Sequence, residues 1–212
     1  MHMLKHVILY TALFLVLSAH SAYAWFDTPE SLLKEQRDLI AAVDANPDNP
    51  EYRFNLSMNL AYTGWIEIAW KQLKKVNDLD PNYKDIVFDT YKPLVLSEPD
   101  QWQHHFKLAF AFYVDKQKDQ TMKHFKMAQT LAPDNPWIMG FIALLYGEQK
   151  NYKECIAWCK RAIKLAPDGV ALHFLLAKAY LESGDMFGFI GESVHVGRLK
   201  SIEAKYRPQV PE

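Results

Sequence analysis

Cys155 and Cys159 stand four residues apart, and His104 and His105 sit side by side just after Trp102. Their types could ligate a metal or exchange electrons. Thiols at i and i+4 share one face of a helix, but regular helix geometry separates their Cα atoms and aims the side chains poorly for a disulfide. The pair also lacks the Cys-x-x-Cys spacing of redox and zinc motifs. Neighbouring histidines on a helix point about 100° apart, so a metal there needs ligands from elsewhere. Two small hydrophobes packed in a core are the expected state of the cysteines, with a thiol or metal carrier through Cys155 and Cys159 as an alternative. The sequence holds no glycine-rich phosphate loop, nucleophile elbow, His-Glu-x-x-His helix or haem-attachment motif. No catalytic residue, cofactor or metal is predicted, and the chain reads as non-enzymatic.

The elements that must position these residues form a repeat. Pro99, Pro133 and Pro167 are 34 residues apart, as are Pro47 and Pro81. On that register Leu108-Ala109, Phe112, Phe125 and Ala128 fall on Ile142-Ala143, Tyr146, Cys159 and Ala162, so large and small apolar residues recur in one order. Apolar residues at helical spacing, turn residues between them and a proline after each second helix predict helix pairs. One pair cannot bury both of its apolar faces, so neighbours must stack, and a constant offset gives a superhelix with a concave wall lined by the first helices. The units lie at about 50–83, 102–135, 136–169 and 170–203, preceded by a half-repeat helix at 30–47. An insert at 84–101 reads as a short helix and an extended segment that packs on the solenoid as a spacer. The last helix, with Gly188, Gly191 and Gly197, reads as an atypical cap, and 207–212 as a tail.

The 212 residues are 50% apolar and carry a net charge of −1, which allows one domain's core and argues against a nucleic-acid partner. Lys5, the apolar run from Val7 to Leu17 and Ala22-Tyr23-Ala24 have the form of a cleaved secretory signal over residues 1–24. Such a run is shorter than the roughly 20 residues that cross a bilayer. The mature domain, 25–206, is expected to be periplasmic or secreted, with no membrane span.

These residues resemble the tetratricopeptide repeat family. The best match is Ile142, Ala143, Tyr146, Cys155, Cys159, Ala162 and Pro167; Leu108, Ala109, Phe112, Phe125, Ala128 and Pro133 match next, then Leu56, Ser57, Ala69, Leu73 and Pro81. The resemblance implies an all-α, right-handed helix-turn-helix solenoid of about three to four units, with the half-repeat and cap at its ends. It places Phe54, Met58, Tyr62, Phe106, Phe110, Tyr113, Trp137, Leu144, Phe174 and Lys178 on the concave groove. An exposed aromatic groove suits an apolar or amphipathic helix, or an extended peptide; the alternative is that several of these rings pack between units or under the insert. The expected function is therefore a protein-binding scaffold or adaptor that helps assemble or deliver an envelope or secretion complex. A self-assembling structural protein is the other alternative.

Overall fold

The computed structural model describes residues 28–211, so the predicted signal lies outside the described residues. Among them the chain is all helical, with ten helices and no strand. These are α1 (Glu30–Ala45), α2 (Pro50–Tyr62), α3 (Ile66–Leu79), α4 (Tyr83–Ser97), α5 (Trp102–Val114), α6 (Lys118–Leu131), α7 (Pro136–Glu148), α8 (Tyr152–Leu165), α9 (Val170–Ser183) and α10 (Met186–Tyr206).

Local chemistry sets the helix ends. Asn49 and Asn135 each stand before a proline, and their side chains accept from backbone N–H groups one turn in: Glu51 and Tyr52 for the first, Trp137 and Ile138 for the second. Proline at the first helical position loses no hydrogen bond, and the Asn oxygen satisfies donors that have no partner within the helix. Lys116, Lys150 and Gly184, spaced by the repeat, all take a positive φ where the first helix of a unit stops. The resulting hairpins are α2/α3, α5/α6, α7/α8 and α9/α10, with α6 stacked on α7 and α8 on α9. The repeating Leu108-Ala109, Ile142-Ala143 and Leu176-Ala177 pairs are buried between them. Helix α1 joins α2 through Gln36, which donates to Asn59 and Thr63, and through Glu35, which accepts from the Tyr62 hydroxyl at 2.8 Å.

The insert departs from expectation. Tyr83–Ser97 is one helix that continues through Pro93. Pro93 and Asp89, whose carbonyl the proline deprives of a donor, are both exposed, so water can take the place of the lost bond. Helix α4 packs on α5, with Phe88 4.9 Å from Phe112 and Tyr91 5.6 Å from His104. It thus fills the slot before α5 that α6 fills before α7.

That slot being taken, α3 packs elsewhere. Its Trp70 ring lies 6.0 Å from Phe110 and 6.2 Å from Tyr113, on the inner side of α5. Unit one is therefore folded across the concave wall instead of merely extending it. The C-terminal end ties down the same helix: Arg207 donates to Glu67 at 3.4 Å and Gln72 donates to the Pro211 carbonyl at 3.1 Å. Residues 207–211, read from sequence as a tail, are thus docked. Val196 and Leu199 of α10 belong to the same core cluster as Leu56 and Phe106.

Candidate functional site

The inner wall is built by α5, α7 and α9, and its first part is sealed. Phe54, Met58, Tyr62, Phe106, Phe110 and Trp137, all predicted to face an open groove, are 4%, 1%, 1%, 0%, 3% and 5% exposed. The physical cause is the returned unit one. Tyr62 sets its ring against Trp102 at 4.9 Å and Phe106 at 5.4 Å. Phe106, Phe110, Phe125 and Phe141 then form one ring cluster with centroids 5.0 to 5.5 Å apart. The α2/α3 turn covers Trp137, and a Cβ on Gly64 would lie 2.3 Å from the indole, so only glycine fits that approach. The Asn135 side chain fixes the contact by donating to the Tyr62 carbonyl at 3.2 Å.

The second part of the wall stays open. A cavity of about 410 Å³ lies between α3, α7, α9 and α10. Among its walls are Trp70, Trp137, Phe141, Leu144, Phe174 and Leu175, with Glu67, Lys178, Lys200 and Glu203 charged around it. Of the ten predicted residues, Trp137, Leu144, Phe174 and Lys178 meet here. Phe174 is 58% exposed, and Lys178, one turn on, is exposed. Tyr113 is only half-buried, but it faces Trp70, and its hydroxyl donates to Glu148 at 2.6 Å; burial first, then Glu148, pushes that hydroxyl up to about 12. A second cleft, about 450 Å³, borders Thr28 and shares only Trp137 with this cavity.

Sequence reasoning missed the α3 side of the cavity (Ile66, Glu67, Trp70) and the α10 side (Lys200, Glu203). A signal was present: Ile66 and Trp70 add a second apolar edge to a helix whose core edge is already Ile68, Ala69 and Val76. Such a helix has two faces to bury. Electrostatically the rim is mixed. Lys71 first, and Arg207 after it, hold the Glu67 carboxyl below its usual range, whereas burial and the nearby Glu67 raise that of Glu203.

The candidate chemical groups lie largely within the helix packing. Cys155 and Cys159 are free, fully buried thiols whose side chains are hydrogen-bonded to each other; that bond, with burial, raises Cys159, and it lowers Cys155. His104 and His105 diverge, His104 to Glu98 at 2.8 Å and His105 to His124 at 3.0 Å. Among the described residues no group of three or more His, Cys, Asp or Glu could hold a metal ion. No described helix is long and apolar enough to cross a membrane.

Residues 138–168, nearly all of the third unit, match the family model for the tetratricopeptide repeat. The third unit is thus similar to a tetratricopeptide repeat. An 80-residue stretch is 30% identical to stress-induced-phosphoprotein 1 of Caenorhabditis elegans, covering 38% of this chain and 25% of that protein. The chain thus spans about a quarter of that relative. Among solved structures, a MamA crystal structure is 17% identical with a TM-score of 0.49, over 81% of this chain and 90% of that one. Yeast Tom70 is 16% identical with a TM-score of 0.47, over 81% of this chain and 40% of its own. Helix pairs stacked on one another continue on both sides of the matched residues.

Proposed function

We propose that the chain is a non-enzymatic scaffold or adaptor that works outside the cytoplasm and holds a segment of another protein in the open part of its concave wall. The observation that carries this is Phe174, 58% exposed on the rim of the apolar cavity of about 410 Å³. Covering the exposed part of such a ring gives roughly 1–2 kcal/mol, and a cleft in the range of about 300–1,000 Å³ accepts a few side chains of a segment rather than a domain. The fitting ligand is an apolar helix turn or extended peptide whose side chains meet Trp70, Phe141, Leu144 and Phe174, with an acidic group within reach of Lys178. The role outside the cytoplasm is supported by Lys5, the apolar run after it and Ala22-Tyr23-Ala24. Assembly or delivery of an envelope or secretion complex is the corresponding cellular task.

A photocrosslinking residue placed at Phe174 in living cells tests this. The expected result is one discrete protein adduct in the extracytoplasmic fraction, absent when the same probe replaces Lys153 on the outer surface. Equal labelling from both positions, or none from Phe174, removes the groove from the function.

A further inference from the structure

The last helix carries an apolar face turned away from both the core and the cavity. Met186, Phe187, Ile190 and Val194 are 51%, 90%, 54% and 72% exposed. The repeat register shows how unusual this is. Phe187 stands where α8 has Lys153 and α6 has Asp119; Val194 stands where they have Lys160 and Lys126; Gly191 stands where they have Ala157 and Lys123. These outward positions, mostly charged on α6 and α8, are thus apolar or bare on α10, while Ile190 keeps the apolar type of Ile156 and Met122. An exposed apolar face of this kind marks an interaction site.

Gly191 points the same way. Among the described residues a Cβ there would meet nothing within 4 Å, and its φ is not positive, so neither their packing nor the local backbone conformation calls for glycine. Glycine in a helix interior costs about 1 kcal/mol relative to alanine. What it provides is a close approach for another backbone.

We propose that this face docks a second copy of the chain, the two α10 helices crossing antiparallel about Ile190 and Gly191. In that register Ile190 of each copy sits against Gly191 of the other, and Phe187 against Val194. The contact is self-complementary, as a two-fold interface requires. Charge favours the same partner: exposed Glu182 and Asp185 flank the start of the face and exposed Arg198 its end, so an antiparallel copy brings opposite charges together. An anionic bilayer would instead meet Glu182 and Asp185 beside Phe187. Four apolar side chains a copy fall well short of the roughly 20–30 residues a side of a standard interface, so the dimer is weak and concentration-dependent.

Sedimentation velocity on the full chain over a concentration series from about 1 to 200 μM, bracketing a micromolar Kd, reads this directly. The expected result is a shift from monomer to dimer that Val194→Asp and Phe187→Asp each weaken at least tenfold, with unchanged circular dichroism and melting because both side chains face water. Gly191→Cys should form a disulfide-linked dimer under oxidation, the native thiols being buried. A constant size at every concentration overturns the proposal, and so does association that survives Val194→Asp, which places the contact elsewhere. Binding of a monomeric chain to anionic vesicles that is lost in Val194→Asp also overturns it, assigning the face to a lipid surface.

Discussion

Phe106 and Phe174 occupy the same position of the repeat, two units apart on the inner wall, yet Phe106 is 0% exposed and Phe174 is 58% exposed. The residue type is equal and the helix is equivalent. The difference is what lies opposite: Phe106 faces Tyr62 and Trp102, whereas Phe174 faces a cavity. A repeat therefore specifies where a side chain points but not whether water meets it there. That depends on how far the folded-back unit reaches, and α3 and α10 stop short of covering α9.

The largest effect that separates the two regions is truncation of each ring. Phe106→Ala leaves a hole among Tyr62, Phe110, Phe125 and Phe141 and should cost about 3–5 kcal/mol. Phe174→Ala should stay within about 0.5 kcal/mol, as surface changes do, while weakening partner capture. Chemical denaturation of both variants checks this; equal losses would mean that the cavity is closed in solution. Next comes Gly64→Ala, which forces a Cβ against the Trp137 ring at a φ of 96°. The left-handed backbone alone costs roughly 1–2 kcal/mol, and the displaced indole should bring the loss to about 2–4 kcal/mol. Trp137 fluorescence should shift to the red as the turn lifts away. An unchanged spectrum would show that the turn does not seal the wall.

The comparison also shows what was legible in the sequence. The 34-residue spacing, the prolines after each second helix and the recurring Leu-Ala or Ile-Ala pairs are local, so helix pairs and their stacking followed from them. Phe54, Met58, Tyr62, Phe106, Phe110 and Trp137 were misplaced because burial on the inner wall comes from a non-local event: α4 takes the slot before α5 and diverts α3 inward. The insert was visible as the 52-residue gap from Pro81 to Pro133, but its consequence for α3 depends on tertiary packing that no residue spacing encodes. Phe174 and Lys178 kept their exposure because none of the described helices covers them.

The sealed region should also be the more acid-sensitive. His105 and His124 meet Nδ1 to Nδ1 at 3.0 Å between α5 and α6, and His105 also hydrogen-bonds the Pro99 backbone. If His105 donates there, its Nδ1 accepts and His124 donates to it; a second proton on His105 would set N–H against N–H, and a second proton on the buried His124 ring is opposed by desolvation. Burial lowers both, His124 to about 4 with His105 adding to it. A base whose folded pKa lies below its unfolded value near 6.5 contributes its full stability above that value and loses it as pH falls towards about 4. Melting temperature should therefore drop between pH 6.5 and 4, and His124→Phe should flatten that part of the profile. An identical slope in the variant would remove the pair from the acid response.

The smallest effect lies at the turns. Lys150 ends α7 with a φ of 60°, in the repeat position that Gly184 holds at 86°. Both take the left-handed backbone, but only the lysine carries a Cβ that penalises it. The Lys150 side chain is exposed and contributes no contact to the cavity. Lys150→Gly should stabilise the chain by about 0.5–1 kcal/mol, or about 1–4 °C in Tm for a chain of this size, without altering capture at Phe174. The reverse change, Gly184→Lys, should cost a similar amount. If Lys150→Gly destabilises instead, the greater freedom of glycine in the unfolded chain outweighs the relief of strain, and the turn at Lys150 is less constrained than that at Gly184.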